Sequence, residues 1–222
     1  MKTTSLIAAS ILVTTITFGS AGCSIFQRSS TPDATKPVGG KAIDLLQFRN
    51  DVQATRSATL RTRDALGRLP DSPNMQDAYT SYSNELTALS GLIEKTSVES
   101  AEVRNGGRKL FAQWEEETRS IKNPDIRAVA ETRRANLQAD YNEMITPLIN
   151  ARANFTPLLS DFTDLRKALA LDLTPAGIQA VKPLIGKVTE EADATVKSLD
   201  ALATELDKIT AVLPAPTIAP AK

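Results

Sequence analysis

The chain has no histidine and a single cysteine among its 222 residues. Those two gaps exclude disulfides within the chain, a zinc site built from several Cys and His ligands, and any triad with imidazole as its base. An excess of one charge is missing as well. Lys+Arg and Asp+Glu both number 26, so no net field draws the chain toward nucleic acid. No stretch alternates with period two for long enough to make a sheet. A phosphate loop is absent too: Ile185-Gly186-Lys187-Val188 lacks the hydroxyl after its lysine and a glycine five residues earlier. With this inventory the expectation is a protein that is not an enzyme and holds neither cofactor nor metal.

Long apolar runs are also lacking. The uncharged run at residues 6–18, LIAASILVTTITF, has 13 residues, where a helix crossing a hydrocarbon core of ~30 Å needs ~20. It fits the apolar region of a signal peptide, preceded by the positive Met1-Lys2. Small residues follow, ending in Gly22 and then Cys23, the lone cysteine. The arrangement resembles a bacterial lipobox, which implies cleavage between Gly22 and Cys23 and a lipid on the thiol. Two or more acyl chains give stable anchoring at ~0.8 kcal/mol per buried CH₂, whereas one chain gives only marginal binding. Ser20 departs from the aliphatic residue usual three positions before the cysteine, so an ordinary secretory signal that leaves a free thiol stays open. Ser24 is not the aspartate of inner-membrane retention, which points to the outer membrane and its periplasmic face. Residues 1–22 are therefore read as a signal peptide and 23–40 as a lipidated cysteine plus flexible tether. The Ser-, Thr-, Pro- and Gly-rich segment 24–40 would average about 20–25 Å end to end as a coil.

What the chain has in quantity is helical periodicity. From residue 41 to 213, steps of three and four give four long series. The first runs Leu45, Phe48, Val52, Thr55, Thr59, Thr62, Leu66, Leu69 and stops at Pro70. The second runs from Tyr79 through Leu86, Ile93, Ser100 and Gly107 to Leu110, Trp114, Glu117 and Ile121. The third is apolar throughout: Leu137, Tyr141, Met144, Leu148, Ala151, Phe155, Leu158, Phe162, Leu165, Leu169. The fourth runs from Ile178 to Leu213 with Thr195 as its one polar member. Asn123-Pro124 and Thr174-Pro175 read as N-caps with proline at the first helical position. The expected fold is all-α: an elongated, antiparallel up-down bundle of about four long amphipathic helices with coiled-coil character. Helices of roughly 40–47 residues would be ~60–70 Å long. Residues 214–222 are expected to form a disordered tail. Pro147, Pro157 and Pro183 fall inside periodic runs and predict kinks without breaks.

Several features invite a functional reading and receive a structural one. Glu115-Glu116-Glu117 point in different directions on a helix, so they read as a solvated face, as does Arg133-Arg134. Trp114 reads as a core anchor. Gly106-Gly107 costs helix stability and stands as a kink, a split of the helix, or a hinge. The polar stretch 96–107 is expected to face the seam threonines Thr55, Thr59 and Thr62, either as a loosely packed polar layer or as the lining of a small polar cavity. Residues 41–69 carry net charge +3 and residues 71–121 carry −4, which favours pairing of the first two helices.

LFAQWEEE (110–117), NPDIR (123–127), the spaced Leu137 and Tyr141, and PLLSDF (157–162) resemble an uncharacterised family of bacterial helical lipoproteins, a domain of unknown function. The resemblance covers roughly residues 41–212 together with the lipobox. RKALALDLTP (166–175) departs from the polar, histidine-containing segment of that family. Since the family has no established activity, the resemblance implies no site residue. The functional expectation is a non-enzymatic, membrane-anchored envelope lipoprotein acting as a periplasmic scaffold, spacer or protein-interaction module. The alternative is a small-molecule or lipid-binding carrier that uses a polar or kinked region of the bundle. The expected partners are a membrane, reached through lipid on Cys23, and an envelope protein, with no nucleic acid. The seams close either within one chain or between copies of it.

Overall fold

The computed structural model describes residues 44–212. The signal-like segment 1–22, Cys23 with its tether to 40, and the tail 214–222 lie outside the described residues. Four helices follow one another: α1 (Leu45–Gly67), α2 (Met75–Arg119), α3 (Pro124–Leu171) and α4 (Pro175–Val212). A 3-10 turn, Leu69–Asp71, joins the first two around Pro70. No strand occurs among the described residues.

Each helix starts where its local chemistry dictates. The side chains of Asp44 and Asn74 accept from the amides of Gln47 and Asp77. Asn123 accepts from Asp125 and Ile126 with Pro124 just inside. The Thr174 hydroxyl accepts from the Gly177 amide at 3.1 Å, with Pro175 in the first turn. Such caps satisfy amides that have no partner within the helix.

The helices alternate in direction. Asp51 meets Lys95 while Arg61 meets Glu85, so α1 and α2 are antiparallel. Tyr82 reaches the Phe162 carbonyl and Tyr141 reaches that of Val103, which sets α2 against α3. Asn154–Ser198 and Asp161–Lys187 do the same for α3 and α4. Arg49, Arg56 and Arg63 of α1 pair with Asp207, Asp200 and Asp193 of α4, a ladder with seven-residue steps on both helices. The charge imbalance between the first two segments therefore resolves only partly between α1 and α2.

The seams follow the sequence pattern closely. All eight members of the first series and all ten of the third are buried. The second drifts after Gly107: Phe111 and Thr118 are buried, while Leu110 is half-buried and Glu117 is exposed. At 3.6 residues per turn a helix drifts from the 3.5-residue pattern, and here the described part of α1 no longer lies alongside to hold the register. α1 itself has 23 residues against 45 in α2, so the expectation of 40 or more residues fails for it. Among the described residues α2 and α3 therefore continue past Leu45 and Val212 as a two-helix hairpin, and residues 119–136 include no buried one. α2 runs unbroken through Gly106-Gly107, α3 through Pro147 and Pro157, and α4 through Pro183.

Candidate functional site

The apolar core divides into two clusters along the rod. One gathers Phe48, Phe111, Met144 and Leu206 near the first residue of α1 and the last turn of α4. The other gathers Leu66, Tyr82, Phe162 and Ile178 toward the opposite pole. Ile93 packs against both, which marks the level where the core changes character.

On the α1–α2 side of this level the buried threonines and Asp51 are satisfied locally. The buried hydroxyls of Thr55, Thr59 and Thr62 donate to carbonyls one turn back in α1, at 2.8–2.9 Å. Thr55 also meets the Thr96 hydroxyl across the seam at 2.9 Å. Asp51 is 6% exposed and accepts from Lys95 at 2.7 Å and from the Gln47 amide group at 2.8 Å. Burial works to raise its carboxyl, but the hydrogen bonds from Lys95 and Gln47 prevail and hold it below its ordinary value. Glu99 stands beside this pair, with one oxygen buried and without a hydrogen-bond partner among the described residues. Burial, and then the negative charge of Asp51, push its carboxyl up. The sequence flagged the threonines and missed the buried aspartate, because a charge on a seam flank looks like any other solvated charge.

On the α2–α3 side the layer opens. A cleft of about 460 Å³ runs between these helices, floored by Leu199 and Leu202 of α4. From α2 it is lined by Ile93 and the short side chains of Thr96, Ser97 and Ser100. From α3 the apolar lining is Leu148, Ala151, Phe155 and Leu159. Arg152, Thr156, Ser160, Thr163, Asp164 and Lys167 form a polar rim. Small residues on α2 leave the gap, which opens toward α3 and α4 and includes none of the α1 threonines that the polar stretch was expected to face.

The cleft is framed by the three tyrosines of the chain. Toward one pole Tyr79 and Tyr82 of α2 donate to the Arg166 and Phe162 carbonyls of α3. Toward the other, Tyr141 of α3 donates to the Val103 and Arg104 carbonyls of α2, each at 3.2 Å. Burial pushes the Tyr82 and Tyr141 hydroxyls well toward the neutral form. Gly107 makes the second clamp sterically feasible, since a Cβ there would lie 2.3 Å from the Tyr141 ring. The glycine is thus a seat for a tyrosine in a continuous helix. The tyrosine spacing, read only as seam filling, carried no signal of carbonyl bonding.

The remaining flagged residues stay apart. Glu115 and Glu116 both reach Arg119, and Glu117 accepts from Gln113. Arg134 donates to Gln138. Trp114 is half-buried against the core cluster. Lys187 pairs with Glu191 and Asp161 on the flank of α4. Cys23 and Gly22 lie outside the described residues. Among the described residues no three carboxylates or thiols stand close enough to share a metal ion, and no helix is long and apolar enough to cross a membrane.

The family described as a protein of unknown function (DUF2959) matches residues 47–213. The chain belongs to this family. The match spans all four helices and starts after Cys23, so the family is shown by the bundle. No curated protein and no solved structure matches the chain.

Proposed function

We propose that the protein is a non-enzymatic lipoprotein of the bacterial cell envelope, exported by residues 1–22 and held by lipid on Cys23 at the outer membrane, facing the periplasm. Segment 24–40 acts as tether, and the helical domain serves as spacer and protein-interaction module. One observation supports the reading most: Leu45 and Ile209, at the start of α1 and the end of α4, belong to the same core cluster. A chain tethered through residue 44 is therefore held by one pole. α2, with 45 residues at ~1.5 Å each, extends about 68 Å. The opposite pole, with its α1–α2 and α3–α4 turns, is then free to meet an envelope partner or a second copy. Cross-linking in cells followed by membrane fractionation tests this. The expected result is sedimentation with outer membranes and a discrete cross-linked species; a soluble, uncross-linked chain contradicts it.

A second reading, a carrier of a small ligand, is favoured by the cleft between α2 and α3, whose volume of about 460 Å³ falls within the usual ~300–1,000 Å³ of ligand sites.

A further inference from the structure

We infer that the α2–α3 cleft binds a single-chain amphiphile with an anionic head, the chain lying on Ile93, Phe155, Leu199 and Leu202 and the head on Arg152. The inference rests on the carrier reading and adds the ligand's class to it.

The gap is built into the seam. Tyr79 and Tyr82 fasten α2 to α3 on one side of it and Tyr141 fastens them on the other. The two helices cannot slide together over the short side chains of Thr96, Ser97 and Ser100 without breaking these bonds to carbonyls. The apolar lining residues Leu148, Ala151 and Phe155 also lie between Pro147 and Pro157, each of which removes a helical hydrogen bond at the cleft wall.

The lining sets the ligand's shape. From Leu148 to Phe162, whose carbonyl takes the Tyr82 bond, the α3 wall is about 21 Å long at ~1.5 Å per residue. Its inner face is aliphatic and aromatic, which suits a hydrocarbon chain. Half of the lining hydroxyls are committed: Thr96 donates to Leu92, Ser100 to Ser97 and Thr163 to Leu159, each to a carbonyl of its own helix. The inner face therefore offers apolar contact along its length, with the hydroxyls of Ser97, Thr156 and Ser160 at its edges.

Charge selects the head. Lys167 is neutralised by Asp164 at 2.9 Å. Arg152 makes no ion pair with the described residues, and it stands one turn before Thr156 at the mouth of the apolar section. A planar guanidinium with free N–H groups is suited to a carboxylate or phosphate oxygen. The net charge of the three ionic rim residues is +1, which repels a cationic head and gains nothing from a neutral one.

Calorimetric titration of residues 23–222, the form left after cleavage at Cys23, carrying Cys23→Ala so that no lipid or signal segment competes for the probes, tests the inference. The probes are dodecanoate, dodecyl maltoside and dodecyltrimethylammonium, each below its micelle concentration. The expected result is at least tenfold tighter binding of dodecanoate. Arg152→Gln, an exposed change, removes that preference without shifting the melting temperature, and Ser97→Trp fills the cleft and abolishes uptake of all three. Equal binding of the three probes, or a preference that survives Arg152→Gln, overturns the anionic class and leaves the carrier reading standing. No uptake of any probe, the outcome also given by a cleft covered by segment 24–40 or by a second copy, overturns both.

Discussion

Gly107 and Tyr141 show how one residue decides the meaning of another. A glycine within a helix costs ~1 kcal/mol relative to alanine, so Gly107→Ala would stabilise an isolated α2. Here the added Cβ would meet the Tyr141 ring at 2.3 Å, displace a buried side chain that also packs edge-on against Phe111, and break its bonds to carbonyls. Gly107→Ala should therefore destabilise by about 1–3 kcal/mol. The same change in a Tyr141→Ala background should stabilise. Urea denaturation of the unsubstituted chain and the three variants reads the reversal of sign, and a cost unchanged in the Tyr141→Ala background would show that the tyrosine does not explain the glycine.

Asp51 and Glu99 make opposite contributions with pH. The Asp51 carboxyl is held below its ordinary 3.8 despite burial, through Lys95 and Gln47. Its stabilisation is thus present above that pH and is lost as pH falls through the lowered folded value. Glu99 is raised above 4.5 by burial and by Asp51. It favours the fold while protonated, and that contribution is lost as pH rises from 4.5 through the raised folded value. Asp51→Asn should cost about 1–3 kcal/mol at pH 7 and less below pH 3.8, whereas Glu99→Gln should raise stability at pH 7 and do nothing in acid. Melting curves across pH 3–8 check both, and a loss of stability in Glu99→Gln at pH 7 would count against this assignment.

Among the elements, α3 holds the clearest tension between local propensity and packing. It runs unbroken through Pro147 and Pro157, although each proline leaves the carbonyl four residues back without its helical partner. Packing of its ten buried seam residues holds the helix together. Pro157→Ala should raise stability by about 1–3 kcal/mol, read as a higher urea midpoint; a lower midpoint would mean that the proline geometry is required by the bundle. The third helix was also the most legible in sequence, because an all-apolar series admits one face. The seam of the first was legible too despite its threonines, since their hydroxyls return to their own helix and do not compete with the seam. α2 was less so. Its register past Gly107 depends on which neighbours accompany it, and no pattern within one helix records that. The ladder of Arg49, Arg56 and Arg63 against Asp207, Asp200 and Asp193 was present in the sequence as seven-residue spacing on two distant segments. Exposed pairs of this kind contribute only ~0–1 kcal/mol each, so the ladder sets neighbour and direction more than stability. The cleft was half legible: the small polar residues of α2 announced a weak layer, but which seam it opened depended on α3 and α4.

On the scale of the whole molecule, the described residues form a rod whose two chain ends leave from one pole, where the α2–α3 hairpin extends beyond α1 and α4. Family membership is carried by the helices, and the proposed role depends on residues 1–40, outside the described part. Attachment through Cys23 would place the hairpin nearest the membrane and the turns farthest from it. That arrangement makes the lone cysteine the residue on which the proposal turns. Growth of cells with radiolabelled palmitate, followed by recovery of the full chain and of Cys23→Ala, tests it most directly. The account predicts label on the full chain and none on the variant; a full chain without label, or label that persists in Cys23→Ala, would contradict it.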